Sequence, residues 1–318
     1  MQFRRLAQAP SIFILTLIAG RGVAADPAMV DLIPPEARII LGADLDQIRD
    51  SPFGTFILGR LKIDSPSFRR FAELTGFDPG RDLREAIVAT DGIDSREPFV
   101  ILRGSFDPGR VADLAAREGG LVSSYGGATI LSNPKDPRSP AASFLSNSLL
   151  IAGPPAAVRA AVDRRKNSVR APAALVSRLD EISGRYHAWA VTNAPPAQLA
   201  PKVNNPNVNS ALNGKIIQGI EHMAGGVRFG ATVEMGAQAA TRSPEDARAL
   251  VNVAQFFVTM IQGNGAGGAE MTRLLESMRI AADGKTAEFT LTTPAADFEK
   301  LFKTAGGAAR ARRVVLTR

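Results

Sequence analysis

The stretch Asp283-Gly-Lys-Thr-Ala-Glu-Phe-Thr-Leu-Thr-Thr-Pro294 carries the signals of a turn, a strand and a helix start in one short segment. Asp283-Gly284 favours a tight type I′ turn between antiparallel strands. The residues that follow alternate between polar and apolar types, which is the pattern of a half-buried strand. Thr293-Pro294 then predicts a helix start, because Thr can cap a helix and Pro at its first position has no N–H to leave unpaired.

Similar junctions between a strand and a Pro-led helix recur along the chain. They are Asp107-Pro108, Gly153-Pro154 and Ser243-Pro244, with Ala194-Pro195-Pro196 as a looser copy. Two further hairpins are predicted at 121–131 and 142–152. Because hairpins outnumber strand–helix–strand patterns, the predicted fold class is α+β. We expect mostly antiparallel sheets with helices packed on one face, built from a duplicated module, and a partner on the free face.

A second repeat is shorter and more specific. The five residues Phe77-Asp-Pro-Gly-Arg81 return as Phe106-Asp-Pro-Gly-Arg110. In each copy Asp-Pro can cap and open a helix, so the sequence predicts helical segments over 82–86 and 111–115.

The domain organisation predicted is a signal peptide at 1–25, a first α+β domain at 26–175, a second at 176–309 and a basic tail at 310–318. The two domains are expected to meet within Lys166–Ser183.

The signal peptide is predicted from a positive start, an apolar run and a small-residue cleavage site at Val23-Ala24-Ala25. The apolar run, 11–20, is too short to cross a hydrocarbon core, which needs about 20 residues. We therefore expect cleavage after Ala25, a periplasmic or extracellular protein, and no stable transmembrane anchor.

Composition excludes several classes of function. The chain has no cysteine, which rules out disulfides, Cys-ligated metals, thiol nucleophiles and a lipoprotein anchor. The formal net charge is +7, but the basic residues in excess lie before residue 26 and after residue 309. Because the charge belongs to the ends, and the chain has one Trp and two Tyr, nucleic acid is not expected as a partner.

No residue is nominated as catalytic, cofactor-binding or metal-ligating, and no cofactor is expected. His187 and His222 lie on predicted strands without a metal-binding spacing. Ser132-Asn-Pro-Lys135 has the Ser-x-x-Lys spacing of penicillin-binding enzymes, but its proline opposes the helix that this chemistry requires. Gly284-Lys285-Thr286 resembles the end of a phosphate loop, yet Arg279 stands where the leading glycine belongs.

The acidic residues Asp44, Asp46 and Asp50 are the remaining candidates, since they follow a predicted strand. Asp44 and Asp46 would share one side of that strand and could hold a divalent cation. The favoured interpretation is that these residues end the strand and cap the next helix.

Three segments resemble those of a family of secreted bacterial proteins of unknown function. They are Leu32-Ile-Pro-Pro-Glu-Ala37, Thr75–Glu85 and Asp283–Pro294. The resemblance implies a signal peptide and duplicated α+β modules, and it implies no activity and no site residues.

The function expected is that of a non-enzymatic binding or structural protein of the cell envelope, with a protein, a peptide or an envelope polymer as partner. The alternative is a hydrolase whose site assembles from distant residues, with Asp44, Asp46, Ser132 and His187 as its parts.

Overall fold

The computed structural model describes residues 24–60, 66–92, 97–167, 169, 171, 173–194, 215–263 and 268–300. Within these residues the strands form a twelve-stranded sheet. The greater part of the predicted signal peptide, the Pro195-Pro196 junction, an Asn-rich segment at 200–214 and the basic tail lie outside the described residues.

The helices are short, apart from one of twenty residues. Residues 295–300 are helical as well. The labelled helices are α1 (Pro27–Val30), α2 (Leu45–Arg49), α3 (Pro52–Arg60), α4 (Pro66–Thr75), α5 (Pro79–Asp82), α6 (Pro108–Arg117), α7 (Pro155–Lys166), α8 (Ala173–Ser183), α9 (Lys215–Gln218), α10 (Pro244–Gly263) and α11 (Gly268–Glu276).

All strand pairs are antiparallel, and the strand order is β11-β12-β10-β9-β8-β1-β2-β3-β7-β6-β5-β4. The strands are β1 (Ile39–Asp44), β2 (Leu83–Thr90), β3 (Phe99–Gly104), β4 (Leu121–Tyr125), β5 (Ala128–Ser132), β6 (Ala141–Ser146), β7 (Leu149–Gly153), β8 (Ala188–Thr192), β9 (Ile220–Arg228), β10 (Thr232–Thr241), β11 (Met278–Asp283) and β12 (Thr286–Pro294).

The two halves of the chain share this sheet. β1, the first strand of the first half, pairs with β8, the first strand of the second half, from Ile39↔Thr192 to Ala43↔Ala188. The sheet therefore continues without a break across the predicted domain boundary, a point that the sequence left open. The domain limits themselves stay a prediction.

Helices cover both faces of the sheet. The back face carries Ile101 and Ile151, which are fully buried in a core that includes Val158 of α7 and Leu179 of α8. The opposite, front face carries Ala239 and Ala287 in the second half, where they pack with Leu250 and Val251 of α10. The prediction that helices pack on only one face of the sheet is thus wrong. The strands present apolar residues on both faces, and each face has to be shielded from water.

Two aromatic side chains pack on the back face where glycines leave room. A Cβ on Gly42 would lie 2.1 Å from Cζ2 of Trp189, its neighbour across the β1–β8 pair. In the same way a Cβ on Gly236 would lie against the hydroxyl of Tyr186. The glycines therefore leave room for the Trp189 ring at the junction of the two halves and for the Tyr186 ring within the second half.

Several predicted local features are confirmed. Asp107 caps α6, since its Oδ1 accepts a hydrogen bond from the N–H of Arg110 at 3.0 Å. Ser243 caps α10 by accepting from the N–H of Asp246 at 3.1 Å. The hairpins β4–β5, β6–β7 and β11–β12 are present, and Gly284 has the positive φ, 53°, that its turn requires.

Other local expectations are wrong. Residues 83–86 belong to β2 rather than to a helix, because β1 and β3 pair with them on both sides. Thr293 lies inside β12, and the N–H of Ala295 bonds to the carbonyl of Ala231. Pro154 precedes α7 as its cap residue, so Pro155 takes the first helical position. The sequence over 215–222 predicts a strand, but Lys215–Gln218 is a helical turn.

Replacing Gly42 by Ala should destabilise the protein by about 1–3 kcal/mol, because the new methyl group displaces the Trp189 ring. Gly92→Ala is the matched control, since a Cβ there meets nothing within 4 Å and should change stability by no more than about 0.5 kcal/mol. Urea titration followed by Trp fluorescence measures both variants. Equal stability of the two would contradict the packing described here.

Candidate functional site

The acidic residues after β1 hold local structure. Asp44 caps α2, where its Oδ1 accepts from the N–H of Gln47 at 2.9 Å and its Oδ2 from the Gln47 side chain at 2.6 Å. Asp46 pairs with Arg49 at 3.1 Å, and Asp50 ends the helix. The capping interpretation is confirmed, because both Asp44 oxygens already have partners within the helix.

His187 lies immediately before β8, near Asp44. Its Nδ1 accepts a hydrogen bond from the N–H of Phe229 at 3.3 Å, and its carbonyl accepts from the N–H of Asp44 at 2.7 Å. Burial lowers the pKa of His187, which the negative charge of Asp44 partly opposes. The side chain is therefore held neutral by the structure around it.

Ser132 does not join these residues. It ends β5, five strands away from β1 in the sheet order, which at a spacing of about 4.8 Å is roughly 24 Å. Asn133 accepts from the N–H of Lys135 at 3.0 Å in a turn, so Ser132 and Lys135 do not share a helix. Among the described residues, Asp44, Asp46, Ser132 and His187 line none of the clefts identified.

A cleft of about 580 Å³ lies on the front face of the first half, and we call it the phenylalanine cleft. Its floor is formed by apolar residues of four neighbouring strands, and its other walls come from α4, α5, α6 and the segment that leads into α6. The floor residues are Leu102, Leu131, Ala142, Phe144 and Leu150.

Four aromatic rings run through this cleft from α4 to the sheet. Phe77 and Phe106 are stacked, with ring centroids 5.8 Å apart and planes 24° from parallel. Phe71 of α4 meets the edge of Phe77 at 6.1 Å, and Phe106 meets Phe144 of β6 at 5.9 Å. The two stacked rings are the first residues of the repeated pentapeptide.

The β2–β3 hairpin brings the two copies of the pentapeptide together. One copy precedes β2 and the other follows β3, and the antiparallel pairing Leu83↔Gly104 closes the gap between them. The N–H of Ser105 then bonds to the carbonyl of Asp82 at 2.8 Å, and the N–H of Phe106 bonds to the carbonyl of Asn147 at 2.8 Å. The backbone therefore fixes the position of Phe106.

Charged side chains form the rim of the cleft. The Arg81 guanidinium contacts both carboxylate oxygens of Asp82, at 2.7 and 2.8 Å, and the carbonyl of Gly76 at 2.9 Å. This hydrogen-bonded pairing lowers the pKa of Asp82. Arg110 contacts Asp107 through Nε at 3.1 Å, and two thirds of its side chain is exposed.

The helix over this cleft differs from its counterpart in the second half. α6 follows β3 and α10 follows β10, which are both third from the central β1–β8 junction on their own side. α10 buries Ala247, Leu250 and Val251 against the sheet, whereas no residue of α6 is buried. The first half therefore has an open cleft beside α6, whereas in the second half α10 packs directly on the sheet.

The repeated pentapeptide was the sequence signal for this site. The repeat can be recognised in the sequence, but the helix predicted over 82–86 is incompatible with the β2–β3 hairpin that brings the two copies together. Within the described parts of the chain, no three His, Asp or Glu side chains come together to hold a metal ion.

Comparison of the chain with family models, with curated proteins and with solved structures gives no match. The helices among the described residues include none that is long and apolar enough to cross a membrane.

His187 should titrate below its ordinary pKa of 6.5 in the folded protein, because burial disfavours its charged form. Neutral His187 then contributes stability above pH 6.5, and this contribution is lost as the pH falls through the folded pKa. An NMR titration of the His222→Gln variant, whose remaining histidine is His187, measures the midpoint. A midpoint at or above 6.5 would contradict the environment described for this ring.

Proposed function

We propose that this chain is an exported, non-enzymatic binding protein of the cell envelope and that the phenylalanine cleft is its binding site. The observation that carries the proposal is the contrast between α6 and α10. An amphipathic helix without a fully buried residue leaves part of its apolar side accessible, and a ligand in the cleft would cover that part.

The volume and the lining of the cleft support its role as a ligand-binding site rather than as a gap left by imperfect packing. Its volume of about 580 Å³ is within the ~300–1,000 Å³ that small-molecule sites occupy. An apolar floor with polar groups only at the rim is also typical of such sites. A ligand would bury ring surface that now contacts water, which favours binding.

The halves of the chain also support a duplicated module, as the sequence suggested. From the central junction outwards, the strand order is β1-β2-β3-β7-β6 on one side and β8-β9-β10-β12-β11 on the other. In both halves a helix follows the third strand of this order in the chain, and another helix follows the fourth. We propose that one copy kept a closed core while the copy with the β4–β5 hairpin acquired the cleft.

The alternative hydrolase has weaker support. Asp44 uses both carboxylate oxygens to hold α2, and Ser132 lies on a strand too far away to act with His187. The proposed binding function requires neither residue.

Export is proposed from the signal sequence, with cleavage after Ala25. In the folded chain the N–H of Asp26 lies 3.3 Å from a carboxylate oxygen of Glu85, a residue only 6% exposed. A new α-ammonium group at Asp26 would therefore gain an ion pair with that carboxylate.

Mass spectrometry of the protein recovered from the periplasm of a Gram-negative host should give a chain that starts at Asp26. A chain that starts at Ala25, whose N–H bonds to Ser183 at 2.9 Å, would move the cleavage site by one residue. An uncleaved chain in the cytoplasm would contradict export.

Filling the cleft should weaken binding. We expect the uncharged dye N-phenyl-1-naphthylamine to bind the wild-type protein with a rise in fluorescence, and Ala142→Phe to weaken binding about tenfold or more because the new ring occupies the cleft. Ala190→Phe is the matched control, on the same face of the sheet but five strands away. Dye binding that survives Ala142→Phe unchanged would contradict this site.

A further inference from the structure

We propose that the ligand of the phenylalanine cleft is a single-chain anionic amphiphile of the fatty-acid type, with its carboxylate on Arg110 and its acyl chain among the rings. The inference rests on the proposed function, since it names the chemical class of ligand for the same site.

The contacts that the two rim arginines, Arg81 and Arg110, make within the protein are the reason for proposing that the ligand has an anionic head group. Arg81 has its Nε and Nη2 on Asp82, so its charge is largely matched. Arg110 reaches Asp107 only through Nε, and its two terminal amino groups have no acceptor among the described residues. These two groups form a fork that fits a carboxylate.

The position of Arg110 in the fold is a second reason to expect that an anion binds at this rim. It lies in the first turn of α6, a helix of ten residues, and lines the cleft together with Asp107, the N-cap residue. The positive end of the helix dipole thus lies at the same rim and favours an anion there. Arg81 lines this rim as well, but its charge is matched by Asp82, so Arg110 is the rim arginine that the head group would contact.

The apolar floor of the cleft is the reason for proposing that the ligand has an acyl chain. Each floor residue belongs to a strand that is paired on both sides, as Leu102 is with Ala86 and Leu150. The backbone N–H and carbonyl groups of the floor are therefore used mainly within the sheet, apart from the irregular pairing next to Phe144. A hydrocarbon chain needs no such partner and gains from contact with leucine and phenylalanine side chains.

A peptide fits the same surface less well. Its amide groups would be buried against the apolar floor without hydrogen-bond partners, and each such group opposes binding. A peptide with a C-terminal carboxylate shares the head-group chemistry, so it is the competing ligand that the experiment must test.

The experiment is displacement of N-phenyl-1-naphthylamine from the full mature chain by lauric acid and by its methyl ester at neutral pH. We expect the acid to displace the dye. Arg110→Gln should weaken binding of the acid about tenfold, the loss expected for a charge-assisted contact, and should change ester binding less than twofold. Arg117→Gln, an exposed residue in the last turn of α6 outside the cleft, should change neither.

Dye binding without displacement by the acid would overturn this inference while leaving the cleft as a binding site, and so would displacement only by a short peptide that ends in phenylalanine. An equal loss for acid and ester in Arg110→Gln would also overturn it, because the arginine would then act on the fold. Failure of the dye to bind at all would overturn the proposed function together with the inference.

Discussion

Trp189 lying on Gly42 joins the two halves of this protein. β1 and β8 meet in the middle of the sheet, and the absence of a side chain at residue 42 lets the indole pack across their pairing. Val191 and Ile40, cross-strand partners in the same core, continue this contact along the strands. The other strands of each half follow outwards from this pair, so the continuity of the twelve-stranded sheet between the halves depends on it.

The same sheet explains why one half has a cleft and the other does not. In the second half α10 places small and branched side chains directly on Ala239 and Ala287. In the first half the Phe77–Phe106 stack lines the cleft together with residues of α6, and no residue of α6 is fully buried. The rings meet at centroid separations of 5.8 to 6.1 Å, within the range that aromatic pairs prefer, and a cleft of about 580 Å³ remains beside them.

The rim of the cleft combines rigidity with unused hydrogen-bonding capacity. The backbone bonds of Ser105 and Phe106 fix the second pentapeptide against α5 and the β6–β7 turn. Arg81 is held by Asp82, whereas Arg110 keeps donors that point to no acceptor in the described chain. A site with a fixed frame and an arginine that still has terminal amino groups to donate is suited to recognising one end of an apolar ligand.

Short-range signals in the sequence determined the local structure. The caps at Asp107 and Ser243 and the turn at Gly284 depend only on residues within one turn of chain, and each was predictable for that reason. Strand pairing overrode such signals elsewhere: 83–86 became part of β2 because two neighbouring strands bond to it, against its helical pattern. The candidate site depends on that same pairing. Phe77 and Phe106 are identical members of a repeat in the sequence, but only the antiparallel β2–β3 hairpin brings them into contact, and contacts between distant residues are decided by the tertiary structure.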